Sequence, residues 1–260
     1  MNGLVLIDKP VGPSSFDVVK RLRSHYGAKA GHAGTLDPLA SGLLLCLLGP
    51  STRLARYLVG LDKRYETEIR LGLRTSTGDG DGEVLEEIPV ATLAEIESLE
   101  GEVELPIPQA SAVKIGGERA YRLHRRGVAV EMPTRRSTIH KLRVRRYAPP
   151  LVEVDLHVSS GTYVRAIADR LGGHCRNLRR TAVGPFHVED ADESAVLPPL
   201  AALVHLPVRE LTPEEVGLVR TGRRIPGTAE GPVALFHGTD LVAVGRGDGG
   251  TLRPETVLPA

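Results

Sequence analysis

From Val152 to Val158 the chain alternates without a break: Val152, Val154, Leu156 and Val158 are apolar, and Glu153, Asp155 and His157 are polar. Successive side chains of a strand point to opposite faces, so this run demands a sheet with one buried and one wetted side. Pro149-Pro150 separates it from a second strand-like run over 137–147, and the two read as a hairpin. Other segments repeat the theme with less regularity. Residues 4–7 form a short apolar strand stopped by Asp8-Lys9-Pro10-Val11-Gly12-Pro13, where two prolines and a glycine force a turn. Residues 43–48 have the length of a buried strand, and 65–71 place Thr67 and Ile69 on the same face as Tyr65. Helices are predicted from Ser14, whose capping partner is Asp17 and whose apolar face is Val18, Val19, Leu22 and Tyr26, and over 52–59, 118–126 and 163–171. Strands and helices without a regular βαβ rhythm indicate an α+β fold.

Beyond Pro198-Pro199 the character changes. Thr212-Pro213-Glu214-Glu215 opens a short helix, and the runs 233–236, 241–244 and 256–258 are short strands cut by glycine-rich turns. A small β-rich module over 212–260 follows from that pattern.

Hydrophobic residues make up 41% of the 260 and charged residues 25%, which excludes a disordered chain. Lys and Arg number 33 against 32 Asp and Glu, a balance that by itself points to no nucleic acid, membrane or acidic partner. The balance conceals segregation. Residues 79–104 hold ten acids and no Lys or Arg, whereas 114–146 hold eleven bases against Glu118 and Glu131. Arg165, Arg170, Arg176, Arg179 and Arg180 against Asp169 form a second basic cluster. Separated fields suit a surface that meets phosphates on one side, or two solvated faces that pair with each other.

Cys46 and Cys175 lack metal-ligand spacing, so neither a disulfide framework nor a zinc site is expected. The longest apolar run falls far short of the ~20 residues of a membrane span, which predicts a cytosolic protein. The most informative stretch is the loop over 31–42, Gly31-His32-Ala33-Gly34-Thr35-Leu36-Asp37-Pro38-Leu39-Ala40-Ser41-Gly42. Its glycines permit tight turns and close approach of a ligand, and Pro38 limits Asp37 to extended backbone, so the carboxylate sits on a stiff loop. A surface turn capped by Asp37 would have the same local sequence.

GHAGTLDPLASGLL at 31–44 closely resembles the catalytic motif of the bacterial tRNA pseudouridine-55 synthases, the TruB family. GLVLIDKPVGPSSFDVVKRLR at 3–23, DKRYETEIRLGLRTSTGDGDG at 62–82, SSGTYVRAIADRLG at 159–172 and NLRRTAVGPF at 177–186 resemble the family's other segments, in the family's order. The resemblance implies an α+β pseudouridine-synthase catalytic fold over 1–211, with a large mixed, mainly antiparallel sheet flanked by helices and loops. It also implies a basic RNA-clamping insertion at about 110–135 and a PUA-like identity for the 212–260 module. The implied activity is isomerisation of uridine 55 in the T-loop of tRNA by base flipping, glycosidic cleavage, rotation of uracil and C–C bond formation. No cofactor or metal is needed, and the implied partner is the tRNA T-arm, met by a cytoplasmic monomer with no membrane and no obligatory protein partner. A guide-RNA-dependent synthase and a non-catalytic RNA-binding protein are the alternatives.

Asp37 matches the family's catalytic acid; whether it attacks the sugar, attacks the base or accepts a proton stays open. Arg165 matches the arginine paired with that acid, and Tyr65 the active-site tyrosine whose ring packs on uracil. His32 matches the histidine that occupies the gap left by the flipped base, and Leu178 a residue lining the uracil pocket. Lys9 and Pro10 match a pair supporting the catalytic loop. Lys114, Arg119, Tyr121, Arg122, Arg125, Arg126 and Arg179 fall on the RNA-binding side.

Overall fold

The computed structural model describes every residue except Ala112, Ala129 and Ala260, and every side chain of the others except that of Arg125. The chain divides into two compact units. One comprises Met1–Pro38, Gly42–Leu61 and Gly184–Ala260; the other comprises Leu39–Ser41 and Asp62–Val183.

In the first unit the strand Gly3–Lys9 runs antiparallel to Ala40–Leu48, with Val5 opposite Cys46, and its other edge pairs with Asp192–Leu197. Leu4, Val5, Leu6 and Ile7 are all buried, as is every residue from Leu43 to Leu48, so both strands are apolar on two faces rather than one. The helix Ser15–Tyr26 starts at Ser14, whose hydroxyl and the Asp17 carboxylate form a reciprocal capping box, and it stops at Gly27 in the left-handed conformation. It buries Val18, Val19 and Leu22, the face expected from their spacing. The predicted 52–59 helix is a 3₁₀ segment, Gly49–Leu54, continued by one α-helical turn, Ala55–Leu58.

The last part of this unit is a five-stranded sheet whose edge strand Val208–Glu210 lies parallel to Pro232–His237. Asp240–Asp248, Thr251–Val257 and Ile225–Pro226 complete it in antiparallel fashion. The glycine-rich 245–252 stretch, read from sequence as turns, mostly continues these strands: Gly245 and Gly247 stay in the ladder, and the turn is confined to Gly249-Gly250. Leu211, Val219, Ile225, Val233, Leu235, Val242, Ala243 and Leu252 form the core beneath the helix Pro213–Arg220. Tyr57 and Thr256 share a 2.8 Å hydroxyl hydrogen bond, and Arg53 donates to the Val257 carbonyl at 3.0 Å, so the sheet is tied to the 49–58 segment.

The second unit is built on five antiparallel strands in the order Gly173–Val183, Lys63–Leu71, Leu151–Val158, Thr134–Ala148, Gly101–Pro106. The expected hairpin is present, and Val152, Val154, Leu156 and Val158 are at most 2% exposed. The helix Val164–Arg170 packs on the Gly173–Val183 strand. The helix expected over 118–126 begins only at Ala120, because Lys114–Ile115 and Glu118–Arg119 pair as a hairpin around Gly116-Gly117. Both glycines have positive φ, the geometry of a two-residue hairpin turn. Among the described residues no helix is long and apolar enough to cross a membrane.

Candidate active site

The loop around Asp37 is held on both flanks. Ser15, 2% exposed at the first turn of its helix, donates its hydroxyl to the Leu36 carbonyl at 2.8 Å and accepts the Leu36 N–H at 2.7 Å. On the other side the Gly12 N–H donates to the Pro38 carbonyl at 2.8 Å. The turn that presents Gly12 is itself shaped by Lys9, wholly buried, whose ammonium donates to the carbonyls of Pro10 and Pro13, each at 2.8 Å. A buried charge is costly unless its hydrogen bonds are met, so Lys9 enforces the shape of the Pro10–Pro13 turn. Asp37 itself is half-buried between buried Leu36 and exposed Pro38. His32 does not lie in the loop proper: Ala30–His32 is a short strand, with His32 paired in register with Cys46, and the loop begins after it. Glycine next to His32 hid that strand from a sequence reading. Both cysteines are buried and form no disulfide.

Lys9, Pro10, His32 and Asp37 belong to the first unit; Tyr65, Arg165, Leu178, Arg179 and the 114–126 bases belong to the second. Tyr65 is 8% exposed on the Lys63–Leu71 strand, opposite Leu156 on one side and Arg180 on the other. Leu178, 7% exposed, stands opposite Thr67, and Arg179 opposite Glu66. Two residues before Tyr65, on the same face, Lys63 is buried with its ammonium 3.2 Å from the Ser160 hydroxyl. Burial, with Arg180 and Arg135 nearby, pushes its pKa down to about 8, against the weaker pull of Asp62. Lys63 was missed as a functional candidate, although the two-residue period that oriented Tyr65 orients it too.

Arg165 is 3% exposed on the Val164–Arg170 helix. Its guanidinium donates to the Thr77 carbonyl at 2.6 Å and the Ala110 carbonyl at 2.9 Å, and its Nη1 lies 3.8 Å from Oδ2 of buried Asp79. Asp79 accepts from the Thr77 hydroxyl and, at 3.2 Å, from the Asp81 N–H. The turn comes this close because Gly78, at φ +74°, has no side chain: an added Cβ would stand 3.2 Å from the Arg165 Cβ. The Thr-Gly-Asp-Gly run was the available signal for this buried partner, submerged in the count of an acidic stretch.

The charge clusters divide. Arg165 and Arg180 are buried, so the 165–180 arginines do not form a wetted basic arc. Arg176 pairs with Glu68 at 2.9 Å, Lys141 with Glu100 at 3.2 Å and Arg145 with Asp155 at 3.1 Å, and both Arg176 and Arg145 are the extra residues at register shifts of their strands. Lys114, Arg119, Arg122 and Arg126 remain exposed, with Arg126 bound to Glu118 at 2.9 Å and Arg122 5.9 Å from the Tyr121 ring. The Arg125 side chain lies outside the described residues.

The sequence model described as TruB family pseudouridylate synthase (N terminal domain) matches residues 20–164. The tRNA pseudouridine synthase B of Thermobifida fusca (strain YX) is 43% identical, over 99% of this chain and 98% of its own. That of Azoarcus sp. (strain BH72) is 35% identical, over 99% and 95%. Among solved structures, a chain of an H/ACA RNP bound to a substrate RNA containing 2'-deoxyuridine superposes with a TM-score of 0.73 at 22% identity, covering 99% of this chain and 85% of that one. A chain of a Cbf5-Nop10-Gar1 complex gives 0.73 at 24% identity, over 98% and 84%. These two likenesses are of fold.

Proposed function

The chain belongs to the TruB family of pseudouridylate synthases, and on that premise we propose that it is a tRNA pseudouridine synthase, an isomerase acting on uridine 55 of the T-loop. The observation that carries the reading is the mounting of Asp37: a half-buried carboxylate on a loop whose backbone is clamped at Leu36 and at Pro38. The reaction breaks the bond between uracil N1 and the ribose C1′ and forms one between C5 and C1′. The C5 proton leaves and N1 gains one, so atoms balance without an oxidant. Cleavage leaves the sugar carbon electron-poor, and a fixed carboxylate offsets that charge or traps it, as in glycoside hydrolysis.

Tyr65 offers a ring to the uracil face and a hydroxyl for the C5 proton. Arg165 supplies a guanidinium whose orientation is set by Thr77, Ala110 and Asp79. Extrusion of the nucleotide costs a few kcal/mol of unstacking, and His32 occupies the gap. Leu178 lines the uracil pocket, Lys9 and Pro10 hold the loop, and Lys114, Arg119, Tyr121, Arg122, Arg125, Arg126 and Arg179 meet the RNA backbone. The enzyme works in the cytoplasm as a monomer, with a catalytic domain over 1–211 and a PUA-like module over 212–260 whose sheet also takes in the edge strand Val208–Glu210 from before that boundary.

Incubation of an unmodified tRNA transcript with the purified chain alone, followed by pseudouridine mapping, tests this. Conversion at position 55 is expected, abolished by Asp37→Asn with tRNA binding retained. Normal turnover by that variant would overturn the assignment of Asp37, and dependence on an added guide RNA would overturn the standalone reading.

A further inference from the structure

Asp62, His140 and His157 stand apart from every residue assigned a role above, and we propose that they bind a divalent transition-metal ion of the zinc class. One carboxylate oxygen and one ring nitrogen from each histidine all lie within 4.8 Å of one another. Nε2 of His140 is 3.2 Å from Oδ2 of Asp62, and Nε2 of His157 is 3.9 Å from the same oxygen. The two rings lie 4.8 Å apart between centroids, tilted by 46°. Donors around a tetrahedral ion with metal–ligand distances near 2 Å are separated by roughly 3.3 Å, so a small inward movement of His157 completes the set.

Backbone geometry, not chance meeting of long side chains, brings the histidines together. The ladder between Thr134–Ala148 and Leu151–Val158 steps from Ile139 opposite Val158 to Lys141 opposite His157, two residues against one. The extra residue is His140. A bulge of this kind re-aims a side chain that regular pleating would send to the other face, and here it turns the imidazole toward His157. Asp62 comes from a third segment, immediately before Lys63, whose strand pairs with the other edge of Leu151–Val158. Each ligand therefore rides on a different strand or strand start.

Two imidazoles and one carboxylate suit Zn²⁺, Co²⁺ or Ni²⁺ rather than Mg²⁺ or Ca²⁺, which take oxygen ligands, and three protein ligands leave a position for water. All three side chains are between 34% and 44% exposed, so the ion reaches them from solvent. Arg64 stands opposite His157 in the ladder, and its charge weighs against a bound cation. The bound ion would tie the start of the Tyr65 strand to the hairpin formed by Leu151–Val158 and Thr134–Ala148.

Titration of the metal-free protein with Zn²⁺ by calorimetry tests the site, with Co²⁺ absorption as a spectroscopic reading of ligand geometry. One ion per chain is expected, with His140→Ala and His157→Ala each weakening binding at least tenfold and Asp62→Asn weakening it further than His187→Ala, an exposed control. Zn²⁺ should raise the Tm of the wild type and leave that of the double histidine variant unchanged. Binding well below one ion per chain, or binding that survives the double variant, overturns the proposal. Should an alanine variant fold poorly, His140→Gln and His157→Gln keep a polar group of similar reach, and unchanged binding in those refutes the site equally.

Discussion

Lys63 keeps its proton to about pH 10.5 when the chain is unfolded and yields it near pH 8 in the fold. Between those values the unfolded chain binds more protons at this residue than the folded one, so stability rises with pH across the window. Below pH 8 the cost of the buried charge is present in full. The difference is at most about 3 kcal/mol, at 1.36 kcal/mol for each pKa unit. Denaturant midpoints of the wild type and Lys63→Met, compared at pH 7 and pH 10, should converge or cross as the wild type gains stability; parallel shifts would place no titration at Lys63. The same deprotonation removes a positive charge on the face that carries Tyr65, so tRNA affinity should fall through pH 8 in the wild type and hold level in Lys63→Arg.

At the scale of elements, the Asp37 loop depends on a helix that contributes no reacting group. Ser15→Ala removes both hydrogen bonds to Leu36 and leaves a buried N–H unpaired, a loss of about 1–3 kcal/mol. Single-turnover conversion should fall severalfold while tRNA binding stays near wild type; equal losses in both would assign Ser15 to folding alone. The helix itself could be read from Ser14 and Asp17, and the 151–158 strand from its alternation, because each pattern is local. Gly173–Val183 could not: its burial does not alternate, since the strand shifts register between Cys175 and Asn177 and again between Arg180 and Ala182. Bulges erase the period on which strand reading rests. For the candidate site, the identities of Asp37, Tyr65 and Arg165, with Lys9 and Pro10 as loop supports, were visible in motifs, whereas Ser15 and Asp79 were not. Ser15 acts on a loop twenty-one positions away, and Asp79 reaches Arg165 across the sequence, relations that no local window contains.

Across the whole molecule, a net charge of +1 describes neither surface. Several bases of the strands pair with nearby acids, whereas Lys114, Arg119 and Arg122 stay exposed on the segment proposed to meet phosphates. Replacing Lys114, Arg119 and Arg122 together by Ala should lower the slope of log affinity against log salt by about one for each lost phosphate contact. An unchanged slope would take this segment off the RNA. The interleaving of the two units has a further effect, on the timetable of synthesis. Residues 62–183 form a continuous stretch, whereas the unit with the Asp37 loop needs Asp192–Leu197 to cover one edge of Gly3–Lys9. At 5–20 residues per second, roughly 10–40 s separate the birth of those two strands on the ribosome. The first strand made thus waits longest for its second neighbour, and the nascent chain must shield an apolar edge from misassembly for most of its own translation.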